Sequence, residues 1–175
     1  MSDTTIDRLH EGLDHVRRSP SDEGVVEMIV RRPREDEREV VAEAKLEPGS
    51  GVVGDRWSTG APGSPKTEVT VMNARCIELL AEDRDRWPLA GDQLYVDLDL
   101  SESNLPPGSR LRIGTSVLEV SEKPHRGCSK FAARFGADAL RFVNSALGRA
   151  NRLRGLNARV VQGGAVRRGD SVTKV

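Results

Sequence analysis

Seven or eight short apolar stretches, alternating or rich in β-branched residues and bounded by Gly, Pro, Asn or Asp, predict a mainly β domain of the β-rich α+β class. They do not alternate with long helical segments, which excludes a doubly wound parallel sheet. Rolling such strands up removes their exposed edges, so a closed or partly closed β-barrel with peripheral helices is expected. The 175 residues suit one domain of this kind.

The elements follow in order. Ile6, Leu9, Leu13 and Val16 form one apolar stripe on a helix over 4–18, with Ser2, Asp3 and Thr4 as N-cap candidates and Pro20 as the stop. Residues 25–32 (VVEMIVRR) and 39–46 (EVVAEAKL) read as strands around the charged turn PREDER. The Gly, Pro and Ser content of 48–65 predicts a long loop, and loops of that length inside a domain are often functional. A strand over 68–72 leads to Asn73, which can cap a helix running to about Arg84. Leu94, Val96, Leu98 and Leu100 alternate with Tyr95, Asp97 and Asp99, the pattern of a half-buried strand. Residues 110–122 form a hairpin turning at Gly114. A helical stretch follows Cys128, interrupted near Gly136, and strands at LNARVVQ and DSVTKV close the chain after turns at Gly163-Gly164 and Arg168-Gly169.

Composition narrows the function classes. Basic and acidic residues number 27 each, which is unlike a globally basic nucleic-acid coat, and six aromatic residues are too few for a surface devoted to stacking on bases. No apolar run approaches the ~18–20 residues of a membrane helix, and the opening residues are too polar for a signal peptide. A cytoplasmic protein without membrane contact is expected, with nucleic acid unlikely as a partner. The charge is uneven, however. Residues 121–175 hold twelve of the basic residues, nine of them arginine, but only Glu122, Asp138 and Asp170 among the acids. Arginine suits phosphate and carboxylate, so this segment either binds an anion or faces the acidic remainder of the fold.

Chemistry concentrates at Lys123-Pro-His-Arg-Gly-Cys128-Ser-Lys130, where one cysteine, one histidine and three cations fall just after a strand and just before a helix. Positive charge and the helix N-terminus acidify such a thiol, and the thiolate is both nucleophile and soft metal ligand. The glycine at 127 is expected to give a bulky ligand access to the backbone. Cys76, in an amphipathic helix, reads as inert packing. Neither cysteine belongs to a zinc-type spacing, so a metal would arrive coordinated largely by something other than protein. The loop GVVGDRW at 51–57 is either a close-approach loop for an anion or a turn with a solvated arginine.

The ordered set GDRW (54–57), LAGDQL (89–94), RLRIGTSVLEV (110–120), PHRGCSKF (124–131) and RGLNARVVQGGAVRRGD (154–170) resembles the MOSC domain family, named for the C-terminal domain of molybdenum cofactor sulfurases. The resemblance covers about 24–175 and leaves 1–23 as a helical extension. It implies a MOSC-type barrel that binds the molybdenum cofactor, a molybdopterin with a phosphate and dithiolene-bound metal. It further implies that Cys128 either coordinates molybdenum or carries sulfur as a persulfide. Read as a stand-alone oxidoreductase, the chain would reduce small N-hydroxylated or related oxygenated compounds, with an electron-donor protein as partner. Read as a carrier, it would take sulfur from a donor or deliver the cofactor without turnover. His125 is the candidate proton donor, and Arg56, Arg126, Lys130, Arg154 and Arg159 are candidates for the pterin phosphate. No pyridoxal phosphate is expected, since the large domain that holds it is missing from this sequence. Three positions depart from the family pattern: Gly127 stands where Pro is common, Gly91-Asp92-Gln93 where a GEN-like motif is common, and Trp57 where His is common.

Overall fold

In the computed structural model, which describes residues 6–59 and 64–175, eleven strands and six α-helices follow one another along the chain. They are α1 (Ile6–Arg17), β1 (Glu23–Arg31), β2 (Glu39–Val41), β3 (Glu43–Glu47), β4 (Gly51–Val52), α2 (Arg56–Thr59), β5 (Val69–Asn73), α3 (Ala74–Ala81), β6 (Leu94–Asp97), β7 (Arg110–Ile113), β8 (Ser116–Val120), α4 (Ser129–Phe135), α5 (Ala137–Asn144), α6 (Ala146–Ala150), β9 (Leu156–Gln162), β10 (Gly164–Arg167) and β11 (Ser171–Lys174). Seven strands close in the order β1-β11-β7-β8-β9-β5-β6 and back to β1. The barrel expected from the sequence is therefore present. Among the described residues, only β5 and β6 pair in parallel. A parallel pair needs a crossover, and α3 with a 3-10 segment at Arg84–Ala90 supplies it.

Strand alternation sorts the apolar residues into two cores. Val69 and Val71 of β5, Leu94 and Val96 of β6, and Leu111 and Ile113 of β7 fill the barrel. Met72 and Tyr95, one step out of phase, point outward and are covered by α1, α3, α4 and α5 through Leu9, Leu13, Ile77, Leu80, Phe131 and Phe142. A bulge between Val26 and Met28 in β1 shifts the phase, so Ile29 faces the barrel while Met28 and Val30 face the helices. The apolar stripe of α1 is buried as expected, against α3 and α5, although its N-cap candidates lie outside the described residues.

Several boundaries differ from the sequence reading. The strand expected over 39–46 divides at Ala42, whose carbonyl accepts from Arg168 N. The first part, β2, pairs with β1, and the second, β3, joins β4 and β10 in a separate three-stranded sheet. Within the expected loop over 48–65, β4 and α2 form. Asn73 caps α3 by accepting from Cys76 N at 2.9 Å, but the helix stops at Ala81 rather than Arg84. Pairing in β6 ends at Asp97, though Leu98 and Leu100 stay buried in the barrel. After Cys128 the helical stretch breaks twice, at Gly136 (φ 97°) and at Ser145, whose side chain caps α6. No helix among the described residues is long and apolar enough to cross a membrane.

Candidate functional site

Cys128 is exposed and stands at the N-cap of α4, between the loop that leaves β8 and the helix that carries Phe131. Its side chain makes no capping hydrogen bond of ordinary geometry, but the Phe131 amide at the open helix end is the largest influence lowering its pKa below 9.0. Burial opposes this modestly, and the Lys130 amide, Arg154 and Arg134 add to the lowering. Cys76 is its opposite. Wholly buried, its Sγ donates to Leu153 O at 3.1 Å, and burial pushes the thiol up to about 12. One thiol is shifted toward the thiolate and the other away from it.

Beside Cys128 lies a buried polar trio drawn from three segments of the chain. Asp92, just before β6, is fully buried. One of its oxygens meets His125 Nε2 at 2.9 Å, and the other accepts from Arg154 Nη1 at 2.5 Å. Arg154, just before β9, also donates from Nη2 to Ala90 O at 2.8 Å and stacks over Phe131. Its Nε is buried without a partner. Burial by itself would raise the Asp92 pKa, but Arg154 and His125 outweigh it and hold the carboxyl down at about 2. The His125 pKa is lowered from 6.5, first by burial and then by Arg154, with Asp92 only partly compensating. His125 is therefore neutral at pH 7. Because the ionised carboxylate can only accept, the proton sits on Nε2, and Nδ1 is left as an acceptor.

A second buried pair braces the first. Asp55, in the GDRW turn, accepts from the Arg32 backbone N–H at 2.8 Å and from its side chain at Nε (3.0 Å) and Nη2 (2.9 Å). Arg32 Nη1 reaches Gly91 O at 3.1 Å, which ties this fork to the residue before Asp92. Around it gather Arg38, Arg56 and Arg134. The Arg38 pKa is lowered by burial first and then by Arg134, Arg32 and Arg56 in turn, which places these three guanidinium groups within electrostatic reach of Arg38. The acidic turn between β1 and β2 meets α4, with Glu35 on Lys130 at 3.3 Å and Asp36 on Arg134 at 3.5 Å.

The sequence-predicted site residues thus divide. His125 and Arg154 meet on Asp92, Arg154 is within electrostatic reach of Cys128, and Arg56 is within reach of Arg38. Lys130 is exposed and paired with Glu35. Arg126 is exposed on the rim of a cavity that His125 and Arg154 also line. Arg159 is paired with Glu119 at 2.8 Å and borders a different hollow, with Lys66 and Glu122. The alternative that this segment faces the acidic remainder of the fold holds in part, since Arg134, Arg154, Arg159 and Arg167 each meet an acid of the first 120 residues, while among the described residues Arg126 and Arg149 meet none.

Sequence reasoning missed Asp55 as an anchor and Arg32, Arg38 and Arg134 as site cations. For Asp55 the two glycines of GVVGD were a usable signal, but the three arginines carry none. The glycine at 127 also has a different role from the one expected. A Cβ there would meet Leu140 Cδ1 at 2.7 Å and Val143 Cγ2 at 3.1 Å, so its smallness lets the loop pack on α5. Its N–H donates to Asn144 Oδ1 and its carbonyl accepts from Asn144 Nδ2, at 2.9 and 3.0 Å.

A search of curated protein sequences finds no match to this chain. Among solved structures, the chain is similar in fold to the YuaD protein from Bacillus subtilis, with a TM-score of 0.58 and 17% identity over 86% of this chain and 94% of that one. It is similar to YiiM from Escherichia coli, with a TM-score of 0.57 and 19% identity over 86% of this chain and 69% of that one. YiiM from Geobacillus stearothermophilus gives a TM-score of 0.55 and 17% identity over 87% and 73%. The MOSC domain profile matches residues 80–173, from the end of α3 to β11. That match spans more than half of the sequence and contains Asp92, His125, Cys128 and Arg154, and on it the chain belongs to the MOSC domain family.

Proposed function

We propose that this protein binds the molybdenum cofactor through Cys128 and acts as an oxidoreductase that reduces small N-hydroxylated or related oxygenated compounds. The observation that carries the reading is the exposed Cys128, its pKa lowered from 9.0 at the start of α4 and within electrostatic reach of Arg154 and Arg134, with Arg134 in turn within reach of Arg38. The family is associated with this cofactor in general, and these residues fit it. A thiolate suits a soft metal, guanidinium groups suit a phosphate, and Gln93 Nε2, next to Asp92 in the chain, is a buried donor still lacking an acceptor. The barrel at 24–175 would carry the site, with 1–23 as an appended helix.

Cys128 would be the protein ligand to molybdenum, and Arg38, Arg56 and Arg134 would hold the phosphate. When bound, the cofactor supplies two-electron redox chemistry at its metal. Reduction of an N-hydroxylated compound to the amine takes two electrons and two protons and releases water, with the electrons supplied by a donor protein. Asp92 keeps His125 oriented, and a proton taken up at Nδ1 would form an imidazolium that the Asp92 carboxylate stabilises.

The test is molybdenum per chain, by elemental analysis, in protein from a host that makes the cofactor, with Cys128→Ala in parallel. Near-stoichiometric metal that disappears in the variant is the expected result. Labile sulfur on Cys128 with no metal would reassign the chain to the sulfur carriers, and neither metal nor sulfur would overturn both readings.

A further inference from the structure

A cavity of ≈ 360 Å³ opens between the loop after β8 and the segment around α6 and the start of β9. This is within the size range of small-molecule sites. Cys128 is not among its lining residues. The apolar part of the wall comes from Pro107, Val143 and Leu156, together with the Gly148 and Gly155 backbone.

The remainder of the wall is cationic. Lys123, Arg126 and Arg149 are exposed at the cavity and, among the described residues, have no ion-pair or side-chain hydrogen-bond partner. Deeper in, Arg154 is nine-tenths buried and its Nε–H has no acceptor. Arg152 spends its Nη1 on the carbonyls of Leu100 and Leu105. Two acids border the space. Glu122 is engaged by Lys66, and Glu102 faces Arg152. Three cations are therefore left uncompensated around a partly apolar hollow, and the largely buried Arg154 side chain lines the same hollow.

We infer that this cavity is a binding site for a small phosphomonoester with an apolar body, distinct from the site at Cys128. The phosphate group meets the Lys123, Arg126 and Arg149 rim, where a dianion gains more than a singly charged carboxylate. The organic part lies against Val143, Leu156 and Pro107, removing apolar surface from water. His125 and Arg154 line the cavity and also belong to the trio with Asp92, so an occupant here touches two residues of the neighbouring site without reaching Cys128. The inference does not require Cys128 to hold a metal.

The experiment is a calorimetric titration of the metal-free chain with phenyl phosphate, and with inorganic phosphate for comparison, at two salt concentrations. The double variant Lys123→Glu/Arg149→Glu changes two exposed side chains. Cys128→Ala and Arg168→Glu serve as controls, since Arg168 is exposed at a different hollow. Saturable binding of phenyl phosphate that is tighter than that of phosphate is expected. It should weaken as salt rises, and by about tenfold or more in the double variant, with little change in either control. A thermal melt of the double variant close to that of the parent confirms that it is folded, and Arg149→Ala should weaken binding in the same direction. No binding at millimolar ligand, or binding that ignores the rim reversal, overturns the inference. Binding lost in Cys128→Ala places the anion at the other site and overturns it equally.

Discussion

Asp92 and Arg154, 62 positions apart in the chain, form a buried ion pair with Asp92 wholly out of solvent and Arg154 nine-tenths so. The pair joins the segment before β6 to the segment before β9, two strands separated in the barrel by β5. It also presents the free oxygen of Asp92 to His125. A structural strut and the orientation of the histidine beside Cys128 thus depend on one carboxylate.

Asp92→Asn keeps the shape and removes the charge, leaving Arg154 buried and uncompensated. Loss of one partner from such a pair typically costs about 3–5 kcal/mol, and the one hydrogen bond that the amide oxygen can still accept should hold the loss near the lower end. Urea denaturation measures this. Because Asp92 raises the His125 pKa, the same variant should move the His125 titration to still lower pH by NMR. An unchanged titration would show that the contact carries no electrostatic weight.

Acid should destabilise the fold in two stages. Both groups have folded pKa values below their unfolded ones, so each contributes stability that is present above the unfolded value and lost as pH falls through the folded value. For His125 the loss begins below 6.5, where the unfolded chain takes up a proton that the buried ring resists. For Asp92 it runs from 3.8 down to about 2 and is worth about 2 kcal/mol. Thermal melts from pH 8 to pH 2 should show a shallow decline followed by a steeper one, and Asp92→Asn should have a smaller second stage, the rest belonging to carboxyls such as Asp55 whose pKa is also lowered.

The two thiols should react very differently. Iodoacetamide should label Cys128 with a rate that rises toward a midpoint below pH 9, while Cys76 stays unlabelled until the protein unfolds. Intact-mass spectrometry counts the adducts. Arg134→Ala removes a cation that favours the thiolate, so it should move the midpoint upward.

Gly127→Pro restores the residue that the family commonly has and tests why this chain departs. Proline cannot donate the bond that Gly127 N gives Asn144 Oδ1, and its ring would crowd Leu140. A loss of about 1–3 kcal/mol is expected in denaturant titration. A neutral outcome would mean that the loop before Cys128 tolerates another path.

Much of the barrel was legible because its signals are local. The alternation at 94–100, the hairpin at Gly114 and the Asn73 cap each lie within a few residues, and each forms close to where the pattern placed it. The strand over 39–46 misled for the same reason. Its apolar pattern continues through Ala42, and only the partners on either side, β1 for one half and β10 for the other, divide it.

The site shows the same division. An exposed cysteine at a helix start, a histidine three residues before it and an arginine-rich segment were legible in the sequence, because charge and helix-start signals act over a few residues. Only the tertiary structure decided which charges are spent and which are free. Arg159 looked equivalent to Arg154 in the chain, yet it meets Glu119 on a neighbouring strand while Arg154 is buried against Asp92. Whether an arginine is free to meet an anion depends on which carboxylates fold against it, and closing the barrel sets those encounters across separations that no sequence spacing records.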